Sequence, residues 1–231
     1  MAMPDFKAAS GKGSTGTAEE QMSRTARERM VERQIAGRGV KDPAVLKAMR
    51  VVPREEFVPA DLRNLAYEDS PLSIGEGQTI SQPYVVAVML EAASLRPTNR
   101  VLDVGTGSGY AAAVASRIVS QVYTIERHAS LAREAHARFE RLGYTNIATR
   151  IGDGSKGWPD AAPFDAIVVA ASAEKVPEAL KNQLAMGGRL VIPVEADLRF
   201  QRLLRIERIG ENTFEETDLG PVLFVPLISG G

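Results

Sequence analysis

The sequence predicts an α/β protein with a doubly wound, mostly parallel sheet of seven strands. After residue 99, short apolar segments alternate with segments of helical periodicity, which is the pattern of consecutive βαβ units. The first apolar segment ends in a glycine-rich turn that opens directly into an alanine-rich helix. The last two predicted strands lack a helix-length segment between them. We therefore expect the C-terminal end of the sheet to be partly antiparallel.

Composition excludes several kinds of chemistry. The chain has 231 residues, of which 44% are apolar and 25% charged, and its net charge is −1. These values are typical of a globular protein without an overall field that would attract nucleic acid or an anionic membrane. Cysteine is absent, and the two histidines are eight positions apart, so no disulfide, thiolate nucleophile or metal site is expected. No long apolar run or signal segment is visible, which favours a cytoplasmic protein.

The N-terminal part predicts a helical cover rather than sheet. Residues 1–20 lack apolar periodicity and are expected to form a flexible tail before a single domain at 21–231. Within that domain, residues 21–98 form the cover and residues 99–231 the sheet core. Helices are predicted at residues 23–36, 42–49 and 84–93, and residues 66–77 are expected to be a turn-rich connection.

The core elements follow from the alternation of apolar and helical segments. The predicted helices end at glycines or begin at prolines, the residues that favour those positions. We expect helices at residues 110–119, 130–142 and 176–186. Strands are predicted at residues 100–104, 122–126, 146–151, 164–170, 189–194, 201–207 and 222–227.

The glycine-rich turn is a candidate ligand site. Gly105, Gly107 and Gly109 have a G-x-G-x-G spacing, which allows a sharp turn and a close approach of backbone to ligand. A dinucleotide fingerprint needs glycine where this chain has Tyr110. A pyrophosphate is therefore not favoured, whereas a nucleoside ligand stays possible. Glycine used only for tight packing is the alternative.

Three acids follow consecutive strands at the edge where ligands bind in such sheets. Asp103 closes the first strand, Glu126 the second, and Asp153 comes just after the third. Glu126 lies 21 positions after Gly105, the placement of an acid that binds ribose hydroxyls, and Asp153 would then lie near the base. Alternatively, Glu126 is a solvated strand end and Asp153 a turn former. Several acids suit a ligand with sulfonium and ammonium charges, which indicates S-adenosylmethionine.

Ser81 is a candidate for substrate contact. Serine or glutamine before Pro83 can cap a helix, and that role alone could explain it. A helix start also offers free N–H groups and partial positive charge, so Thr79, Ile80 and Ser81 could hold a substrate carboxylate. A carboxylate is already an ionised nucleophile, and its methylation requires alignment rather than a strong base. The lack of a histidine or cysteine signature fits that chemistry.

The sequence resembles the protein-L-isoaspartate (D-aspartate) O-methyltransferase family, which has the class I S-adenosylmethionine-dependent methyltransferase fold. The resemblance covers roughly residues 25–228, and the segment Gly-Gln-Thr-Ile-Ser-Gln-Pro at 77–83 is close to specific for it. Other matching stretches are Met-Val-Glu-Arg-Gln-Ile at 30–35, Val-Pro-Arg-Glu-Glu-Phe-Val-Pro at 52–59, Val-Leu-Asp-Val-Gly-Thr-Gly-Ser-Gly-Tyr at 101–110, Gly-Asp-Gly at 152–154 and Phe-Val-Pro at 224–226.

The resemblance implies methyl transfer from S-adenosylmethionine to the α-carboxyl of L-isoaspartyl residues in damaged proteins and peptides, with S-adenosylhomocysteine as product. The ester then collapses to a succinimide, so the normal linkage can reform. The resemblance also implies an unusual order of the last two strands. It implies these roles: Ser81 as active-site hydroxyl, Asp103, Gly105, Thr106 and Gly107 around the methionine part, Glu126 at the ribose, and Asp153 with Gly154 at the adenine.

The sequence departs from the family at two positions, and two other functions are weighed against the repair reaction. Glu195 stands where many bacterial members have glycine, and Ser172 where alanine is usual. A methyltransferase for a small molecule or RNA would be expected to show a basic face or an Asn/Asp-Pro-Pro-Tyr motif, and the sequence shows neither. A cofactor-binding module without turnover is the third possibility. We expect a monomer whose partners are isoaspartyl proteins, with no nucleic acid or membrane.

Overall fold

A computed structural model describes residues 18–197 and 200–230. The tail was predicted at residues 1–20; residues 1–17 lie outside the described residues, and residues 18–20 belong to the first helix instead. The helices are α1 Ala18–Arg29, α2 Pro43–Val51, α3 Pro83–Ala92, α4 Tyr110–Ser116, α5 Ala129–Arg141 and α6 Glu178–Asn182. The strands are β1 Leu72–Gly75, β2 Gln78–Ile80, β3 Arg100–Val104, β4 Gln121–Glu126, β5 Ile147–Ile151, β6 Phe164–Val169, β7 Leu184–Asp197, β8 Phe200–Arg208 and β9 Phe214–Val222.

Seven strands form the main sheet in the order β5-β4-β3-β6-β7-β8-β9. The five strands from β5 to β7 are mutually parallel, whereas β8 and β9 add as antiparallel neighbours in chain order. The chain first runs outward from β3 to β5 and then crosses to β6 on the other side of β3. The predicted α/β fold is confirmed, and this reversal places the topological switch point at the carboxyl ends of β3 and β6.

Strand β3 is the centre of this sheet because both its faces are covered. Val101 packs into the hydrophobic cluster on one face, and Leu102 and Val104 pack into the cluster on the other. All three are at most 1% exposed. A central parallel strand buried on both faces is expected to be a continuous apolar run, which is why its position could be predicted.

The N-terminal helices pack on one face of the sheet together with α3 and α4, and they share a single hydrophobic cluster with them. Asp42 begins α2, because its Oδ1 accepts from the Ala44 and Val45 amides at 2.8 and 3.1 Å. The predicted helix at 23–36 is not uniform. After α1 the chain forms a π-helical turn, Met30–Ile35, and then a 3-10 turn, Ala36–Arg38.

Two other predicted elements were wrong. Residues 72–80 form the antiparallel hairpin β1–β2 instead of an unstructured connection, since strands of four and three residues are too short to show alternation. The helix predicted at 176–186 is only α6. Gly187 and Gly188 lie inside β7, where the pairing with β6 shifts register.

The last strand is β9, not residues 222–227. Its central residues are exposed and mostly acidic at this sheet edge, so its composition hid it. The helix expected at 110–119 ends at Ser116.

Candidate active site

An open cleft lies at the switch point, the place where ligands bind in sheets of this kind. Four chain segments form its walls. The glycine turn contributes residues 104–108, and the end of β4 with the two residues after it contributes 125–128. Strand β2 and the residue after it contribute 78–81, and the segment after β9 contributes 225–228.

Hydrogen bonds and packing fix the glycine turn. The Gly105 and Thr106 amides donate to the Ile125 carbonyl at 2.9 and 3.2 Å. Gly109 has φ +91°, and an added Cβ there would lie 2.6 Å from Cζ of Phe139. The third glycine therefore permits α4 and α5 to pack closely, while the first two face the cleft. Both interpretations of the turn, ligand approach and tight packing, apply at different glycines.

Glu126 braces this turn. The carboxylate is 5% exposed, its Oε2 accepts from the Gly107 amide and its Oε1 from the His128 amide, each at 2.9 Å. Each carboxylate oxygen has a second acceptor site, and Glu126 lines the cleft. It is thus not a solvated strand end. The contact with Gly107 could not be anticipated from the sequence spacing.

Asp103 lies beneath the turn rather than in the cleft wall. It is 3% exposed, and its Oδ2 accepts from the Thr124 hydroxyl at 2.7 Å. The Thr124 and Thr106 hydroxyls are 2.6 Å apart, so a buried chain of hydroxyls links the acid to a residue of the wall. Burial raises the pKa of Asp103 to about 7; the Thr124 hydrogen bond opposes this shift, and the charge of Glu126 adds to it.

Asp153 also stands behind the cleft surface. Its Oδ1 accepts from the amide and hydroxyl of Ser155, and its Oδ2 accepts from the Gly230 amide at 3.0 Å. The neighbouring Gly154 does line the cleft, and a side chain there would clash with Val104. Asp153 is thus a turn former, as its alternative held, and it also fastens the segment near Gly230 to this loop.

Ser81 does not cap α3. The N-cap is Gln82, without a side-chain capping bond, and the Ser81 hydroxyl has no hydrogen-bond partner within the described ranges. Ser81 lines the cleft. Thr79 and Ile80 lie in β2; Thr79 is exposed, whereas the Ile80 side chain is only 3% exposed and belongs to the core. Of these three residues, Thr79 and Ser81 have side chains that are available to a substrate in the cleft.

A second, largely apolar groove adjoins the cleft. Its walls come from the first turns of α3 and from residues 219–225, with Arg38 and Leu203 beside them. Four residues line both cavities: Thr79, Ser81, Ala170 and Val225. The two cavities therefore adjoin at these residues, and Ser81 is one of them. Gln78 and residues 225–228 line the cleft but were not among the predicted site residues, whereas Thr79 of the same hairpin was.

Of the two departures from the family, one supports a wall of the cleft and the other lies on an exposed strand. Ser172 brackets the segment after β9, because its amide donates to the Val225 carbonyl and its carbonyl accepts from the Leu227 amide. Its own hydroxyl is buried without a partner in the part of the chain that the structure describes. Glu195 is exposed on β7. In the described residues, no helix has the length and hydropathy needed to cross a bilayer, and no cluster of potential metal ligands occurs.

A seven-stranded sheet with a glycine-cradled cleft at its switch point defines a class I S-adenosylmethionine-dependent methyltransferase. The family model for protein-L-isoaspartate (D-aspartate) O-methyltransferase matches residues 25–231. The chain belongs to this family.

Relatives and solved structures agree with that assignment. A protein-L-isoaspartate O-methyltransferase of Methylorubrum extorquens is 60% identical over 205 residues, which cover 89% of each chain. One from Pelobacter propionicus is 57% identical over 202 residues, covering 87% of this chain and 90% of the relative. The structure of a putative Plasmodium falciparum protein-L-isoaspartate O-methyltransferase in complex with S-adenosylhomocysteine superimposes with a TM-score of 0.77 at 28% identity, covering 87% of this chain and 98% of that one.

Proposed function

We propose that this chain repairs damaged proteins and peptides by transferring a methyl group from S-adenosylmethionine to the α-carboxyl of L-isoaspartyl residues, with S-adenosylhomocysteine as product. The observation that carries the proposal is that Ser81 lines two adjoining cavities, one a cleft beside the glycine turn and the other a largely apolar groove. A bound cofactor and a bound peptide would be neighbours at the residues that line both cavities. The family assignment supports the same reaction.

The cleft walls fit the cofactor. Gly105, Thr106 and Gly107 would hold its methionine part, and Glu126 its ribose through the acceptor sites that the backbone leaves free. Gly154 would contact the adenine, since no side chain fills that wall. Asp103 and Asp153 would act from behind the surface, the first through the hydroxyls of Thr124 and Thr106 and the second by shaping the loop.

S-adenosylmethionine, when bound, supplies an electrophilic methyl group on its sulfonium. The chain's own task is to place a substrate carboxylate in line with it, and alignment of this kind can contribute on the order of 7 to 11 kcal/mol. The Ser81 hydroxyl is free to donate a hydrogen bond to one carboxylate oxygen. The N-terminus of α3 adds partial positive charge beside it. The second oxygen of the carboxylate then faces the methyl group.

The adjoining groove suits the substrate chain. Its wall is formed by Tyr84, Val85 and Val88 from α3 and by residues 219–225. The charge of Arg38 at its rim is paired with Asp69 at 2.6 Å, so the groove is nearly neutral. A peptide flank would bind mainly by apolar contact, which fits an enzyme that accepts damaged sites in many sequences. We further propose a cytoplasmic monomer whose partners are isoaspartyl proteins, with no metal, nucleic acid or membrane.

The reaction is tested by methyl transfer to an isoaspartyl peptide and to its aspartyl counterpart. We expect labelling of the first only. Equal labelling would contradict the proposal and favour a methyltransferase with other substrates, and cofactor binding without labelling of either peptide would favour a binding module.

Ser81→Ala tests the role of the shared residue. Hydrogen bonds to charged groups contribute about 1.5 to 3 kcal/mol, so kcat should fall about 10- to 100-fold, while the Kd for S-adenosylhomocysteine and the Tm stay unchanged. The matched control is Ser73→Ala, exposed on β1 of the same hairpin, which should leave all three values unchanged. A loss of cofactor binding in Ser81→Ala would assign the hydroxyl to the cofactor site instead.

A further inference from the structure

We propose that Asp69 is a positioning residue for methyl transfer that holds the segment carrying Ser81 through the side chain of Gln82. This inference rests on the proposed function, because it concerns the same carboxylate site. Asp69 precedes the hairpin and does not line the cofactor cleft. It therefore acts on the site through the residues that it binds.

The contact with Gln82 is double. The Gln82 Nε2 donates to the Asp69 Oδ2 at 2.7 Å and to the Asp69 carbonyl at 3.1 Å. Gln82 is the N-cap of α3, yet its side chain makes no capping bond to the helix. The amide serves instead as a tether from the residue after Ser81 to a fixed point across the groove.

Asp69 also binds Arg38, whose Nη1 donates to the same Oδ2 at 2.6 Å. The Arg38 guanidinium lies over the ring of Tyr84 at 3.6 Å from its centroid, and Tyr84 is in the first turn of α3. One carboxylate oxygen thus binds Gln82 directly and is linked through Arg38 to Tyr84, the second residue of α3. The backbone next to Ser81 is therefore restrained by two contacts, one at Gln82 and one at Tyr84.

The second carboxylate oxygen of Asp69 indicates that this residue serves to position its neighbours rather than to stabilise the fold. Asp69 Oδ1 is buried and has no hydrogen-bond partner in residues 18–197 and 200–230. A buried acceptor without a partner costs free energy. A position selected for stability alone would not retain a carboxylate there, whereas a residue that must hold two donors on one oxygen needs the charge.

The cofactor side of the site is fixed independently. The glycine turn is held by Ile125 and Glu126, and neither contacts Asp69. Removing the Asp69 carboxylate should therefore loosen the substrate carboxylate site while leaving the cofactor cleft intact. This predicts a change in kcat that is separate from cofactor affinity.

The test compares Asp69→Ala, Gln82→Ala, the double variant and Asp69→Asn, measuring kcat, the Kd for S-adenosylhomocysteine and Tm. We expect about a tenfold fall in kcat for each alanine variant. The double variant should fall no further than Asp69→Ala, because both substitutions break the Asp69–Gln82 contact. The Kd should stay within twofold. Asp69→Asn keeps an acceptor oxygen for Gln82 but loses the charge that also holds Arg38, so it should recover only part of the activity.

The matched control is Glu207→Ala. Glu207 accepts two hydrogen bonds from Arg189 of β7, at 2.9 and 3.1 Å, on a part of the sheet that does not line either cavity. Its side chain is 27% exposed against 26% for Asp69, and its loss should leave kcat unchanged. Additive effects of Asp69→Ala and Gln82→Ala, or a fall in kcat in the control as large as that in Asp69→Ala, would overturn the proposal.

Hydrogen–deuterium exchange of residues 79–85 separates the two proposals. Exchange should be faster in Asp69→Ala than in the wild type, and unchanged exchange would refute the positioning role. If the wild-type protein did not discriminate isoaspartyl from aspartyl peptide, the proposed function would fail, while the exchange result would still decide whether Asp69 holds the Ser81 segment.

Discussion

Replacing Gly109 by alanine should destabilise the protein through two separable effects. The backbone has φ +91°, and an L-residue in the left-handed region costs roughly 1 to 2 kcal/mol. The new Cβ would also lie 2.6 and 2.7 Å from two ring atoms of Phe139, a side chain only 2% exposed and therefore unable to move away freely. Overpacking of this kind costs about 1 to 3 kcal/mol. The two effects add to about 2 to 5 kcal/mol.

Gly143→Ala is the matched control, since Gly143 has φ +72° and an added Cβ would meet no atom within 4 Å. It should show the backbone cost alone. For a chain of this size, each kcal/mol corresponds to about 2 to 4 °C in Tm, so Gly109→Ala should melt about 2 to 12 °C below Gly143→Ala in calorimetry. In a Phe139→Leu background the difference between the two should shrink. Equal losses in both variants would refute the packing argument.

Two further predictions concern the buried acids. Asp103→Asn keeps an acceptor for Thr124 but cannot ionise. Because burial raises the folded pKa of Asp103 from 3.8 to about 7, the folded wild type binds more protons than the unfolded chain between these values. Its free energy of unfolding should therefore fall relative to the variant as pH rises from about 5 to 8, by about 2 to 3 kcal/mol. Chemical denaturation across this pH range checks it, and parallel curves would contradict it. Glu126→Gln places an amide N–H₂ against one backbone donor and removes a charge, so the Kd for S-adenosylhomocysteine should rise about 10- to 100-fold. Calorimetry measures this Kd, and Glu195→Gln, at an exposed acid, is the control. An unchanged Kd for Glu126→Gln would show that the backbone bonds to Glu126 do not matter for binding.

The elements that could be predicted are those whose own composition reflects their surroundings. Strand β3 is buried on both faces and reads as an apolar run, and Asp42 caps α2 through contacts two and three residues away. The glycine turn was recognisable for a similar reason, since backbone with positive φ favours glycine. Local rules are sufficient for these parts.

The remaining parts depend on partners distant in sequence. Strand β9 is acidic and half solvated because it is a sheet edge, so no pattern of apolar residues marks it. Residues 225–228 are apolar because they form a wall of the cleft, and the same composition was mistaken for a strand. The π-helical turn at Met30–Ile35 buries three apolar residues, as an α-helix would. The positions of the apolar residues in the sequence therefore do not distinguish the two kinds of helix. The distance in sequence from Gly105 to Glu126 predicts a ribose contact for Glu126. It could not show that both carboxylate oxygens accept hydrogen bonds from backbone amides.

The wall formed by residues 225–228 makes ligand binding depend on the segment that follows the last strand. It is held by two backbone bonds to Ser172, which follows β6, so this wall depends on contacts between segments that are distant in the sequence. A polypeptide that stopped after β9 would still contain every strand of the sheet. Its cleft would lack the wall of residues 225–228, so ligand binding would distinguish the full chain from one that ends after β9.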